Sequence, residues 1–243
     1  MDRSNSFLTT PMAILLGSIV IAVALLMNGG VIKVGRPMNN APAAAGSSAS
    51  AQPAQAAQPQ APLPGAKVNV DIGHLPVKGT SSKVTIIEFA DFQCPFCERF
   101  FKDTESQIIK DYVETGKAKF VFRQYAFLGK ESTWAAEASE CANDQGKFWE
   151  YHDYLYSHQG QENSGAFAKD KLEGFAQSLG LNMDQFKPCL ESDKYASKVS
   201  DDMAAGQKVG VNGTPATFVN GQLVSGAQPY ANFKTLIDAE IAK

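Results

Sequence analysis

The run KVTIIEFA at residues 83–90 passes within three residues into Cys94-Pro95-Phe96-Cys97, and this junction constrains the fold more than any other part of the chain. A short stretch rich in β-branched and apolar residues reads as a buried central strand. Pro is well tolerated in the first turn of a helix, so a helix should start at Cys94 or Pro95. Phe101, Ile108, Ile109, Tyr112 and Val113 then recur at helical spacing, and Gly116 is a natural stop. AKFVFRQYAF, residues 118–127, is a second strand. Strand–helix–strand order predicts a βαβ unit with the cysteines where the first strand meets its helix.

From Ser132 to about Val209 the pattern is helical. STWAAEASECA, GKFWEYHDYLYSHQ, DKLEGFAQSLG, MDQFKPCLES and KYASKVSDDMAAGQKVG each supply a segment, and Phe148, Trp149, His152 and Tyr156 fall close to one face. TPATFVNGQLVSG then predicts two short strands around Asn220-Gly221, the strongest short-range hairpin signal. A last helix carries Tyr230, Phe233, Leu236, Ile237 and Ile241 on one side.

The first 66 residues do not resemble the rest. No charge occurs between Arg3 and Lys33, and MAILLGSIVIAVALLM lies inside that gap. With its apolar flanks the segment 7–32 is long enough for a bilayer, which needs roughly 20 mostly apolar residues. A cleaved signal peptide is the rival reading, but NGGVIKVGRPM is a poor cleavage site, and APAAAG at 41–46 lies far downstream. The balance favours an uncleaved transmembrane anchor, whose orientation the flanking charges leave open. Residues 33–66 are dominated by Ala, Pro, Gln, Ser and Gly and predict a disordered, Pro-stiffened linker.

Of 22 Lys and Arg and 25 Asp and Glu, only Arg3, Lys33, Arg36 and Asp2 precede residue 67. That leaves 19 against 24 in the segment 67–243, a net charge of -5 without a basic run, which argues against a nucleic-acid partner.

C-x-x-C alone fits a zinc clip, an inert crosslink or a redox pair. A zinc site would need Cys141 and Cys189 to approach Cys94 and Cys97, and their spacing offers no second knuckle. The three histidines, His74, His152 and His158, include no i, i+4 pair, and His152 among aromatic residues reads as a hydrogen-bonded core residue. The redox reading has a direct physical basis. A thiolate attacks a disulfide, and unpaired N–H groups at a helix start favour the anion at Cys94. Cys97 lies nearly one turn later on the same face and can resolve a mixed disulfide. Far along the chain, Thr214-Pro215 at the mouth of a strand is a candidate cis peptide, beside which an extended substrate segment could pair in strand fashion.

EFADFQCPFC followed much later by VNGTPATFVNG resembles the DsbA-like branch of the thioredoxin superfamily over about residues 83–243. The resemblance implies an α/β thioredoxin fold with a helical insertion, about 131–209, between its two halves. It implies Cys94 as nucleophile, Cys97 as resolving cysteine and Thr214-Pro215 as the cis-Pro loop that binds substrate. The expected activity is thiol–disulfide exchange that forms disulfides in unfolded or partly folded exported proteins. A redox-recycling partner in the membrane would be needed. Since the dithiol carries the electrons, neither metal nor organic cofactor is expected.

Two departures qualify the match. Phe96 stands where the best-known oxidase has His, and Phe can donate neither a hydrogen bond nor charge to the Cys94 thiolate, so a less oxidising pair is expected. Thr before the cis-Pro occurs in isomerase relatives and in several oxidases and does not choose between them.

Glu88, six residues before Cys94, falls where family members carry a buried acid. A solvated acid there would have no role. Its neighbours Ile86, Ile87 and Phe89 point instead to burial, which raises a carboxyl pKa and suits it to accept the Cys97 proton. Cys141 and Cys189 are buried thiols in a reducing compartment but a disulfide outside it, and some members of the family carry a second, structural bond. The expected location is periplasmic or otherwise extracytoplasmic, at the cytoplasmic membrane. A disulfide isomerase or reductase of the same fold, or a non-catalytic chaperone-like module of the envelope, are the alternatives.

Overall fold

The computed structural model describes residues 66–81 and 83–243. The anchor expected at 7–32 and nearly all of the linker expected at 33–66 lie outside the described residues. Among the described residues no helix is long and apolar enough to cross a membrane.

Strands β1 (Val77–Lys78), β2 (Val84–Ala90), β3 (Ala118–Gln124), β4 (Ala216–Val219) and β5 (Gln222–Ser225) form one sheet in the order β1-β3-β2-β4-β5. β2 runs parallel to β3, with Glu88 opposite Phe122, and antiparallel to β4, with Glu88 opposite Thr217. It is therefore the central strand that its apolar content predicts. The edge strand β1 is two residues long and carries no readable sequence pattern.

The helix opening at the cysteines is α1 (Pro95–Phe100), and it continues without a break. A π-helical turn (Phe101–Glu105), α2 (Ser106–Ile108) and a second π-helical turn (Ile109–Val113) follow. Each π turn widens the helix and rotates the residues beyond it relative to a 3.6-residue repeat. Gly116 (φ +72°) ends it. β3 stops at Gln124 rather than running to residue 127, because the amides of Phe127 and Leu128 turn aside to the Asp91 carboxylate.

Between β3 and β4 lies the helical insertion: α3 (Lys130–Asn143), α4 (Phe148–Ser157), α5 (Lys169–Ser178), α6 (Met183–Glu191) and α7 (Ala196–Lys208). Helix α8 (Tyr230–Ile241) closes the chain. The alternation of β2 sorts its side chains onto two faces. Val84 and Ile86 pack with Phe100, Ile108, Phe233 and Ile237 beneath α1, α2 and α8. Ile87 and Phe89 pack on the other face with Val121, Phe218 and Val211. A third cluster fills the insertion and includes Phe92, Phe148, Tyr151 and Tyr156 together with Cys94 and Cys97.

Helix α7 approaches the sheet through Gly206, where a Cβ would lie 2.9 Å from Phe89 Cδ1 and Tyr125 Cδ2. Cys141 on α3 is joined to Cys189 on α6 by a disulfide, with Cα atoms 6.0 Å apart. Beside the β4–β5 turn, Lys67 bridges to Gln222, and the Glu240 carboxylate holds Lys67, Asn220 and Lys243.

Candidate active site

The loop from β2 to α1 is shaped by one buried carboxylate. Asp91 Oδ1 accepts from the amide of Gln93 at 2.9 Å, and Oδ2 accepts from the amides of Phe127 and Leu128 at 2.9 and 3.1 Å. The Asp91 carbonyl accepts from the Cys94 amide at 3.0 Å. Burial pushes the Asp91 pKa up more than these amides pull it down.

Gln93 then reaches into the insertion. Its Nε2 donates to Ser132 Oγ at 2.8 Å, and its Oε1 accepts from the Asn163 amide at 2.7 Å. From the opposite direction, Gln159 Nε2 donates to the carbonyls of Phe92 at 2.6 Å and Cys94 at 3.2 Å. The loop between α4 and α5 is thus fastened to the loop that carries the thiols. None of these polar residues is identified by the sequence; only the Asx-turn spacing of Asp91 and Gln93 is a legible signal.

Cys94 is the N-cap of α1, in extended conformation (φ -72°, ψ 119°). Its carbonyl accepts from the amides of Cys97 and Glu98 at 3.0 and 3.1 Å. The Cys94 sulfur lies 3.5 Å from the carbonyl oxygen of Thr214, to which the thiol form donates. The Thr214-Pro215 bond is cis. The Thr214 hydroxyl has no partner at ordinary hydrogen-bond distance, yet it lies near enough to both sulfurs to lower the pKa of each.

Cys94 is held down at about 6. The largest cause is the Cys97 thiol donating to its sulfur; burial opposes, and Thr214 and the amides of Cys97 and Phe96 add to the lowering. The sequence attributes this shift to the helix terminus. The terminus contributes, but its sulfur forms no full cap bond, and the neighbouring thiol is the stronger influence. Cys97 is wholly buried and its pKa stands well above the ordinary thiol value, through burial first, then the hydrogen bond it gives to Cys94, then the charges of Glu88 and Cys94.

Glu88 is buried in the middle of the sheet, and its Oε2 has no hydrogen-bond partner. Its pKa is raised well above the carboxylate range by burial, then by the charges of Glu105 and Cys94. The site thus sets a ready anion, a protonated second thiol and a buried acid beside one another. Such a set can form and resolve a mixed disulfide. Phe96 and Phe127 are the large apolar side chains left about half exposed nearby, at 51% and 47%. Cys141 and Cys189 are bonded to each other and take no part in the dithiol. No group of three or more His, Cys, Asp or Glu among the described residues is arranged to hold a metal ion.

The family described as thioredoxin matches residues 77–239. Disulfide bond formation protein D of Bacillus subtilis is 32% identical over 170 residues, which cover 68% of this chain and 77% of that protein. A probable disulfide bond formation protein D of Bacillus cereus is 31% identical over 164 residues, covering 66% and 75% of the two chains. Among solved structures, oxidised BdbD from Bacillus subtilis superposes with a TM-score of 0.69 at 30% identity, over 73% of this chain and 98% of that one. The chain belongs to the DsbA-like branch of the thioredoxin superfamily. It is a thiol:disulfide oxidoreductase, working by thiol–disulfide exchange.

Proposed function

We propose that Cys94 and Cys97 are the exchanging pair and that the protein works as an oxidase, passing its disulfide to exported proteins. A substrate thiolate attacks Cys94 in the oxidised pair, and Cys97 leaves. A second substrate thiolate then attacks the mixed disulfide and releases Cys94. The observation that carries this reading is the Cys94 pKa of about 6 beside a Cys97 held high. An easily formed thiolate stabilises the reduced pair and so makes the oxidised pair a better oxidant.

Thr214 and Pro215 dock the substrate backbone. This role is supported by the 3.5 Å approach of the Thr214 carbonyl to the nucleophilic sulfur and by the start of β4 at the next residue, Ala216. Glu88 exchanges a proton with Cys97, supported by its burial, its raised pKa and its influence on the Cys97 thiol. The Cys141–Cys189 bond is structural. Residues 67–243 form the catalytic domain, held by the 33–66 linker on a 7–32 membrane anchor at the extracytoplasmic face of the cytoplasmic membrane. The substrates are unfolded or partly folded exported proteins, and a redox partner in the membrane reoxidises Cys94 and Cys97. The names of the Bacillus relatives support disulfide formation as the direction of exchange.

Two measurements test the proposal. Oxidation of reduced, unfolded ribonuclease should require both Cys94 and Cys97, and equal activity after Cys94→Ser would end it. Equilibration with glutathione should leave the pair mostly reduced under mildly oxidising conditions; a pair that stays oxidised there is a reductase instead.

A further inference from the structure

Beyond the sulfurs, buried polar atoms without a hydrogen-bond partner include Glu88 Oε2, Tyr156 OH, Glu105 Oε2 and His152 Nε2. Each such group is a net cost to stability if it serves only packing. Three of them, on Glu105, His152 and Tyr156, belong to residues grouped about one another, and Glu88 feels the charge of Glu105. Glu105 Oε2 lies 3.9 Å from His152 Nε2, and the rings of His152 and Tyr156 are 5.0 Å apart. The Tyr156 hydroxyl is buried, and its pKa is pushed well above the ordinary phenol value by burial first and then by the charges of Cys97, Glu88 and Glu105.

The other side of His152 leads outward. Its Nδ1 is 2.8 Å from Asp153 Oδ1, and the Asp153 side chain is half exposed. A carboxylate can only accept, so Nδ1 carries the proton and Nε2 turns a lone pair toward Glu105. A histidine used only for packing would not need that lone pair facing an equally unpartnered carboxyl oxygen.

We propose that Glu105, His152 and Asp153 form a proton path joining Glu88 and the Cys97 thiol to solvent at the exposed side of α4, with the Tyr156 hydroxyl between Glu88 and Glu105. The inference rests on Glu88 being the proton partner of Cys97. When the pair is reoxidised, Cys97 gives its thiol proton to the Glu88 carboxylate and its thiolate attacks the Cys94 sulfur of the mixed disulfide. The bond from Cys94 to the partner sulfur breaks, and the partner leaves with the electron pair as a thiolate. The proton passes from Glu88 through Tyr156 to Glu105. Glu105 hands a proton to His152 Nε2 as Nδ1 releases its own to Asp153, which yields it to water. When a substrate is oxidised, Cys97 leaves as a thiolate and the path runs inward.

The surrounding charges suit this traffic. Glu105 is faced by His152 and Asp153 from α4 and by Lys78 from β1, and burial foremost pushes it up to about 7, where it can give and take a proton near neutrality. Glu88 is faced by Glu105 and Cys94, and Tyr156 also by Asp91. Phe92, Phe101, Phe122, Phe148 and Trp149 ring His152, and with Nδ1 bonded to Asp153 on one side and Nε2 facing Glu105 on the other the imidazole passes a proton by exchanging tautomers. The 3.9 Å gap must close by about 1 Å for transfer.

The test isolates resolution. The reduced full chain is mixed with glutathione disulfide, quenched at intervals, and the Cys94–glutathione intermediate is followed by mass spectrometry between pH 5 and 9. Glu105→Gln should slow its decay by roughly tenfold or more and remove the inflection near pH 7. Asp153→Asn keeps an acceptor for Nδ1 at an exposed position but cannot take the proton; it should slow decay by roughly threefold. The first attack by Cys94 and its alkylation midpoint should stay as in the parent protein. Glu88→Gln is the control. If it slows decay while Glu105→Gln and Asp153→Asn, both folded, match the parent rate and profile, the path is wrong and Glu88 keeps its role. If Glu88→Gln also matches the parent, both ideas fail.

Discussion

The sulfur of Cys94 lies 3.5 Å from the carbonyl oxygen of Thr214, a residue 120 positions further along the chain. On its other side the Cys97 thiol donates to the same sulfur and does most to hold its pKa at about 6. Removing that donor should therefore matter more than any change at the helix start. In the parent protein the rate of alkylation by iodoacetamide should rise through about pH 6 and level off above it, because the lowered pKa leaves the thiolate formed there. In Cys97→Ala the rise should move to higher pH. An unchanged midpoint would return the main influence to the helix terminus.

Phe96 is half exposed, so its replacement disturbs little packing. Phe96→His places a donor and a partial charge beside the thiolate. The Cys94 pKa should fall further, and the glutathione equilibrium should shift toward the reduced pair by roughly tenfold for each unit of that fall. No shift would mean that position 96 turns away from the sulfur in solution.

Asp91 satisfies three amides at once, those of Gln93, Phe127 and Leu128. Asp91→Ala leaves them buried without an acceptor and should destabilise the fold by about 1–3 kcal/mol for each amide that water cannot reach. Asp91→Asn, which keeps one accepting oxygen, should lose less. Urea unfolding of the reduced proteins measures both.

Gly206 offers a test in which the general rule and the local geometry disagree. An alanine inside a helix ordinarily stabilises by about 1 kcal/mol over glycine. Here the new methyl would sit 2.9 Å from both the Phe89 and Tyr125 rings. Two buried aromatic side chains must move, which typically costs 1–3 kcal/mol in a packed core. Gly206→Ala should therefore lower the urea midpoint; a rise would show that α7 can lift from the sheet.

The Cys141–Cys189 bond closes a separation of 48 residues. Replacing both with alanine should lower stability by roughly 4 kcal/mol at most, on the chain-entropy account. Alkylation of Cys94 should keep its pH midpoint, because neither cysteine of this bond is among the groups that shift the Cys94 or Cys97 thiol. A shifted midpoint would connect the two pairs.

How much was legible beforehand follows the range of the interactions. β2, the start of α1 and the hairpin at Asn220-Gly221 are local events, and the two hairpin residues have the positive φ that their types allow (44° and 82°). Glu88 was legible because apolar neighbours on a short strand imply burial on either face. Glu105 was not. It sits in FFKDTESQII, which reads as a solvated helix face, and the π turn ending at Glu105 shifts the repeat so that this residue points inward. Gln93 and Gln159 look like ordinary loop residues, and only the folding of the insertion over the thiols gives them partners. The source of the low Cys94 pKa was half legible: spacing places Cys97 one turn away, but not which donor acts more strongly.

Because β4 lies beside β2 yet arrives after the whole insertion, a chain growing from its N-terminus carries both thiols long before it carries Thr214. Until the last eighth of the polypeptide has joined the sheet, Cys94 lacks one wall of its pocket. The pair's chemistry is thus coupled to completion of the molecule, and a newly made or truncated copy would present an ordinary pair of cysteines to its surroundings.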